Sequence, residues 1–129
     1  MIKRLNPEGA PKPASNYAQA VLHSASAQRL VISGQVGITP DGKLLENLED
    51  QLQQCWRNIF AVLKGCGFEK KHLIKTVTYV TEPDHVALSR RVRDEALEGL
   101  LVANTYIECS GLASPALLCE IEAEAVKED

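Results

Sequence analysis

Three glutamates near the C-terminus, Glu120, Glu122 and Glu124, alternate with Cys119, Ile121, Ala123 and Ala125. In a strand, period two sends the carboxylates to one face and the apolar set to the other. Like charges on one strand face repel, so water, a cation or a hydrogen-bond donor must compensate them. The run therefore reads in two ways. It is a wetted sheet face, as alternation commonly signifies, or it is a wall on which Glu120 faces a pocket opposite Asn104 and Tyr106. Those two residues lie in a second strand-like run, residues 102–109, and offer an amide and a phenol but no charge at neutral pH. Ser110-Gly111-Leu112-Ala113-Ser114-Pro115 separates the runs with the residues of a loop.

The elements that must position these groups follow from the rest of the chain. Residues 1–16 are polar and rich in Pro and Gly, which forbids helix and predicts an extended arm over the surface. Tyr17–Leu22 and Arg29–Gln35 read as short strands of a hairpin turning at 24–28. Leu30-Val31-Ile32 is apolar without alternation, which predicts burial on both faces. Ser33-Gly34 allows a bulge or the close approach of a backbone or ligand. Asn47 is the expected N-cap of a helix in which Leu48, Leu52, Cys55, Trp56, Ile59, Phe60, Leu63 and Cys66 form one apolar stripe. Leu73–Thr81, rich in β-branched residues, reads as a strand. Glu82-Pro83-Asp84 ends it and caps a second helix reaching about Leu100, whose Arg90, Arg91 and Arg93 read as a solvated face with local ion pairs or, as the alternative, as a basic patch for an anionic partner.

The expected architecture is α+β, in the order β-β-α-β-α-β-β, within one domain spanning residues 1–129. Two helices cover one face of a five-stranded sheet and leave the other, with Val31, to be buried by a second copy of the chain. At 129 residues, 45% hydrophobic and 24% charged, the composition is that of a soluble globular protein. A formal net charge of −3 argues against a dedicated nucleic-acid binder. No apolar run approaches the roughly 20 residues that span a bilayer, and the N-terminus lacks a signal-peptide core, so a cytoplasmic protein without membrane contact is expected. Cys55, Cys66, Cys109 and Cys119 form no C-x-x-C pair, and His23, His72 and His85 are scattered. No metal or cofactor is expected, and the cysteines read as buried thiols rather than disulfides.

From end to end the chain resembles the YjgF/RidA family. The resemblance is carried by Asn6-Pro7 with Ala10-Pro11-Lys12-Pro13-Ala14, by Tyr17-Ala18-Gln19-Ala20-Val21, and by Val31-Ile32-Ser33-Gly34-Gln35. It continues through Leu73–Thr81 and ends on Cys119-Glu120-Ile121-Glu122-Ala123. It implies a chorismate-mutase-like fold with one mixed sheet and two helices on one face. It also implies a homotrimer with a central β-barrel, and small-molecule sites in the clefts between subunits. The best-studied members hydrolyse reactive enamines and imines to ketones and ammonia. Tyr17 and Glu120 match the family's catalytic positions, Glu120 holding or activating water. Ser33 and Gly34 match the segment that lines the pocket, and Ser89 stands at the family's helix asparagine. One position departs. The family motif P-A-R-S-T/C-V-E is Val102-Ala103-Asn104-Thr105-Tyr106-Ile107-Glu108 here, so Asn104 replaces the arginine that grips a substrate carboxylate. A neutral amide does not offset a desolvated anion as a guanidinium does. The resemblance thus implies a hydrolase of small imines, enamines or related C–N metabolites other than the usual imino acids, or a trimer that binds a metabolite without catalysis. The family's reported chaperone and RNA-related activities find no support in an acidic chain without an aromatic-basic stripe.

Overall fold

The computed structural model describes residues 1–128, so Asp129, the last residue of the expected domain, lies outside the described residues. The organising helix is α1, Leu48–Gly65. The Asn47 side chain accepts from the Asp50 backbone N–H at 2.8 Å, and Glu49 and Asp50 place negative charge at the positive end of the dipole. At the other end Phe68 N–H donates to the Leu63 carbonyl and Gly67 N–H to the Lys64 carbonyl. Gly67 takes φ +79°, so this is a Schellman stop that a side chain would strain. The stripe is buried as expected at Leu48, Leu52, Cys55, Trp56, Ile59 and Leu63. Cys66 is a correction. It caps the helix rather than continuing it, and its thiol is exposed.

That stripe lies on a four-stranded sheet of β3 (Gln28–Val36), β4 (Leu73–Val80), β5 (Ala103–Glu108) and β6 (Cys119–Lys127). The strand order is β3-β6-β4-β5, with β4 and β5 parallel and the other pairs antiparallel. Helix α2, Val86–Leu97, packs against α1 and adds Val92 and Leu97 to the same core. Its N-cap is His85 rather than Asp84, because Asp84 adopts φ +69° in the tight turn after the strand. It stops three residues early, where Glu98 and Gly99 both turn left-handed.

The expected hairpin between the first two strands does not form. β2 (Ala20–Leu22) pairs instead with β1 (Lys3–Leu5), a strand within the supposed arm, in a separate two-stranded ribbon. The expected five-stranded sheet is therefore four-stranded, although Ala18 bridges to Ala103 and lays the chain along the outer edge of β5. Double burial of β3 also fails within the chain. Ile32 is buried under α1, but Val31 is 65% exposed on a sheet face that no element covers.

Beside the apolar packing lies one buried polar anchor that hydrophobic periodicity does not reveal. Gln51, fully buried, donates through Nε2 to the carbonyls of Leu45 (2.8 Å) and Ala116 (3.1 Å) and accepts from Leu118 N–H at 2.9 Å. It fastens α1 to the loop entering β6. Gly37 lies against it so closely that any side chain there would meet the Gln51 backbone. The Cys55 and Cys119 thiols touch within the core at 3.8 Å, and their hydrogen bond, together with burial, pushes the Cys55 thiol up. Gln51→Leu strands buried backbone groups that each cost about 1–3 kcal/mol. We expect a loss of at least about 2 kcal/mol in urea unfolding; a loss within error of zero would show that these bonds are replaceable by water.

Candidate functional site

A cleft of about 340 Å³ opens between α2, the N-terminal segment and edge strand β5. Its strand wall is Asn104 and Tyr106, its helix wall Ser89, Arg90 and Arg93, and Tyr17 closes one side. Each side chain is positioned by ordinary backbone geometry. In the parallel ladder Asn104 lies beside Thr76 and Tyr106 beside Thr78, on the side of the sheet that carries the helices. The Thr76 hydroxyl donates to Asn104 Oδ1 at 2.7 Å, which leaves the Asn104 amide N–H groups as donors. The Tyr106 hydroxyl is buried without a hydrogen-bond partner, its approach to the His85 backbone N–H falling short of a formed bond. Burial, then the charges of Glu108 and Asp84, push its phenol pKa up, so it remains a neutral donor and acceptor.

Tyr17 is held through its neighbours. Ala18 N–H donates to the Val102 carbonyl at 2.9 Å, next to the strand bridge at Ala103. On the helix side Ser15 accepts from Arg93 Nη2 at 3.2 Å, and Asn16 donates to Asp94 at 3.0 Å. Arg93 is only 3% exposed and pairs with Asp94 at 3.1 Å, so it is a buried tie rather than part of a solvated face. Arg91 alone behaves as a surface arginine, bridging Glu49 and Glu95.

The three glutamates separate in role. On β6 they half-emerge on the uncovered face while Cys119, Ile121, Ala123 and Ala125 are buried, which is the expected alternation. Glu122 accepts from the Tyr79 hydroxyl at 2.6 Å and Glu124 from Arg29 Nε at 3.0 Å. These two satisfy the plain sheet-face reading. Glu120 accepts no hydrogen bond and forms no ion pair among the described residues. Its carboxylate occupies the place where a side chain on Gly34 would begin. Ser33 and Gly34 lie in a register shift between Ile32 and Gln35, where β3 leaves the ladder. This is the close approach that the glycine permits, made here by a carboxylate.

Tyr17, Ser89, Asn104 and Tyr106 are thus brought together, and so are Ser33, Gly34 and Glu120, but the two groups do not meet within one chain. β4 lies between β5 and β6, and Glu120 pairs across from Tyr79, one residue out of step with Thr78 and Tyr106. Glu120 accordingly faces away from the helices, while Asn104 and Tyr106 face towards them. Within one chain, therefore, Glu120 does not stand opposite Asn104 and Tyr106. Ser15 and Arg93 were not anticipated in the cleft. The available signal was helical spacing, since Val86, Ser89, Arg90 and Arg93 share one face of α2.

Comparison with known proteins agrees with this architecture. The family model described as Endoribonuclease L-PSP matches residues 7–127, and the chain belongs to this, the YjgF/RidA family. A RutC family protein of Aquifex aeolicus is 34% identical over 82 residues, which is 63% of this chain and 63% of that protein's length. Protein HMF1 of Saccharomyces cerevisiae is 30% identical over 92 residues, 67% of this chain and 68% of its own. The crystal structure of YyfB from Yersinia pestis, a protein of unknown function in the conserved Rid family, superposes with a TM-score of 0.87 at 32% identity. That superposition covers 96% of this chain and 97% of YyfB. The fold is the α+β fold of the family, two helices on a mixed sheet.

The paired Tyr79 and Glu122 provide a check on the uncovered face. The hydrogen bond to Glu122, with its charge, raises the Tyr79 pKa, because the phenolate would face a carboxylate. Glu122→Gln removes that charge. Tyrosine absorbance titration should show one phenol moving down in pH in the variant; an unchanged titration curve would mean the pair is open in solution.

Proposed function

We propose that the protein is a RidA-like hydrolase acting on a small imine, enamine or related C–N metabolite, in a cleft completed between copies of a homotrimer. The observation that carries this is the free carboxylate of Glu120 seated on Gly34, while of its two neighbouring glutamates Glu122 is hydrogen-bonded by Tyr79 and Glu124 is paired with Arg29. An unpaired, half-buried carboxylate at a strand bulge is poised to hold water. Family membership supports an imine-deaminase-like role, and the arrangement of the two groups of residues supports a shared cleft. Ser33, Gly34 and Glu120 lie towards the β3 edge of the sheet, Tyr17, Asn104 and Tyr106 at the β5 edge. A head-to-tail ring sets one copy's β3 edge against the next copy's β5 edge. It also covers Val31 and Ile107, which are 65% and 37% exposed in the single chain.

In the reaction Glu120 takes a proton from water as the oxygen adds to the imine carbon. That proton passes to nitrogen, and collapse of the carbinolamine forms the ketone and releases ammonia, so C=N plus water becomes C=O plus NH3. Tyr17 and the Ser33 backbone orient the substrate, Ser89 and Asn104 donate hydrogen bonds to it, and Tyr106 forms a wall. The neutral pair Asn104 and Tyr106 also favours a second reading, a trimer that binds a small metabolite without turning it over.

Sedimentation equilibrium should give a trimer, and a monomer at micromolar concentration would remove the shared cleft. Imines of leucine, methionine and phenylalanine should release ammonia feebly, because no cation stands at position 104. The double variant Asn104→Arg, Tyr106→Cys should gain that release, and adding Glu120→Gln should reduce it by about 10²-fold or more. A trimeric double variant that neither binds nor hydrolyses imino acids would show that these residues do not form the site.

A further inference from the structure

The helix wall of the cleft carries a charge that nothing among the described residues uses. Arg90 is half-buried and lines the cleft beside Ser89. It has neither an ion pair nor a hydrogen bond among the described residues. The other arginines of α2 are committed, Arg93 to Asp94 and Ser15, and Arg91 to Glu49 and Glu95. Arg4 is also half-buried, but it donates to the carbonyls of Leu101 and Lys71. A half-buried guanidinium without a partner is open to pairing with an external anion. The opposite wall is of different character. Asn104 keeps its amide N–H groups for a ligand, and the Tyr106 hydroxyl is buried and unsatisfied. Asp84 and Glu108 place negative charge near Tyr106, which repels an anion from that end.

We infer that Arg90 is the anion-binding group of this cleft, and that the ligand is a small bifunctional molecule. One end carries a carboxylate or similar anion on Arg90; the other presents a neutral carbonyl or hydroxyl group across the cleft to Asn104 and Tyr106. The two functions stand on opposite walls, so they are separated by a spacer and are not adjacent as in an α-imino acid. The inference rests on the reading of this cleft as the ligand-bearing half of the site and specifies its substrate class.

The test is binding of stable ketones, followed by calorimetry on the assembled wild-type protein. The probes are 4-oxopentanoate, its amide 4-oxopentanamide, and 2-oxopentanoate, in which the two functions are adjacent. 4-Oxopentanoate should bind best, about tenfold or more tighter than the amide, as a charge-assisted bond requires. Arg90→Gln should abolish the preference for acid over amide, Arg90→Lys should keep part of it, and Arg91→Gln should leave it intact. Arg90 makes no internal bond, so its substitution leaves the fold in place, which circular dichroism checks. Equal binding of acid and amide, a preference that survives Arg90→Gln, tighter binding of 2-oxopentanoate, or no binding of any probe at millimolar concentration would each overturn the inference. Binding is read separately from ammonia release. Arg90-dependent binding without hydrolysis of any imine would remove the hydrolase and keep the anion site, and hydrolysis of neutral imines with no preference for acids would do the reverse.

Discussion

Strand β4 lies between β5 and β6, and most of what the molecule can do follows from that placement. A strand alternates its side chains between two faces, so a one-residue offset across β4 decides which groups can meet. Thr76 and Thr78 carry Asn104 and Tyr106 to the face beneath the helices, and Tyr79 carries Glu120 to the other. The polar groups expected to surround one ligand are divided between opposite faces and towards opposite edges. No rotamer change within one chain joins them. A functional cleft that uses both sets has to be assembled from more than one copy, as the proposed function requires.

The same sheet needs a cover on its second face. Helices α1 and α2 bury Ile121, Ala123 and Ala125 on one side, with Gln51 holding α1 to the entry of β6. On the other side Val31 and Ile107 are left to water beside three carboxylates. Two of those carboxylates have local donors. Of the three, Glu120 has no hydrogen-bond or ion-pair partner among the described residues, and Gly34 gives it room. On the helix side Arg90 is left in the same way. The unmatched charges of opposite sign therefore sit on different faces of the sheet, which keeps them from neutralising one another within a single chain.

The elements governed by periodicity were legible in the sequence: the α1 stripe and its Asn47 cap, the β4 run, and the alternation of β6. Tyr17, Ser89, Asn104 and Tyr106, each singled out in the sequence, line one cleft. What stayed hidden depends on pairing between segments, which local pattern does not encode. The runs around Asn104 and Glu120 are consecutive in the chain, yet β4 inserts between them. Lys3–Leu5 was read as part of an extended arm on the Pro- and Gly-rich composition of residues 1–16, while its partner, Ala20–Leu22, was assigned to β3. Gln51 and Arg93 are buried polar residues, and hydrophobic periodicity reads such positions as exposed. Their burial becomes intelligible only with their partners, the carbonyls and N–H around β6 for Gln51 and the Ser15–Asp94 pair for Arg93.

The division of the site is tested most directly by subunit complementation. Glu120→Gln and Tyr17→Phe chains are each inactivated separately, then mixed, unfolded and refolded together, and ammonia release from an imine substrate is followed. If the cleft is shared, a mixed assembly contains junctions at which an intact Glu120 from one chain meets an intact Tyr17 from the next, and activity returns in part. If each chain carried a whole site, every site in the mixture would keep one lesion. The mixture would then be no more active than the two variants apart, and the account would be wrong.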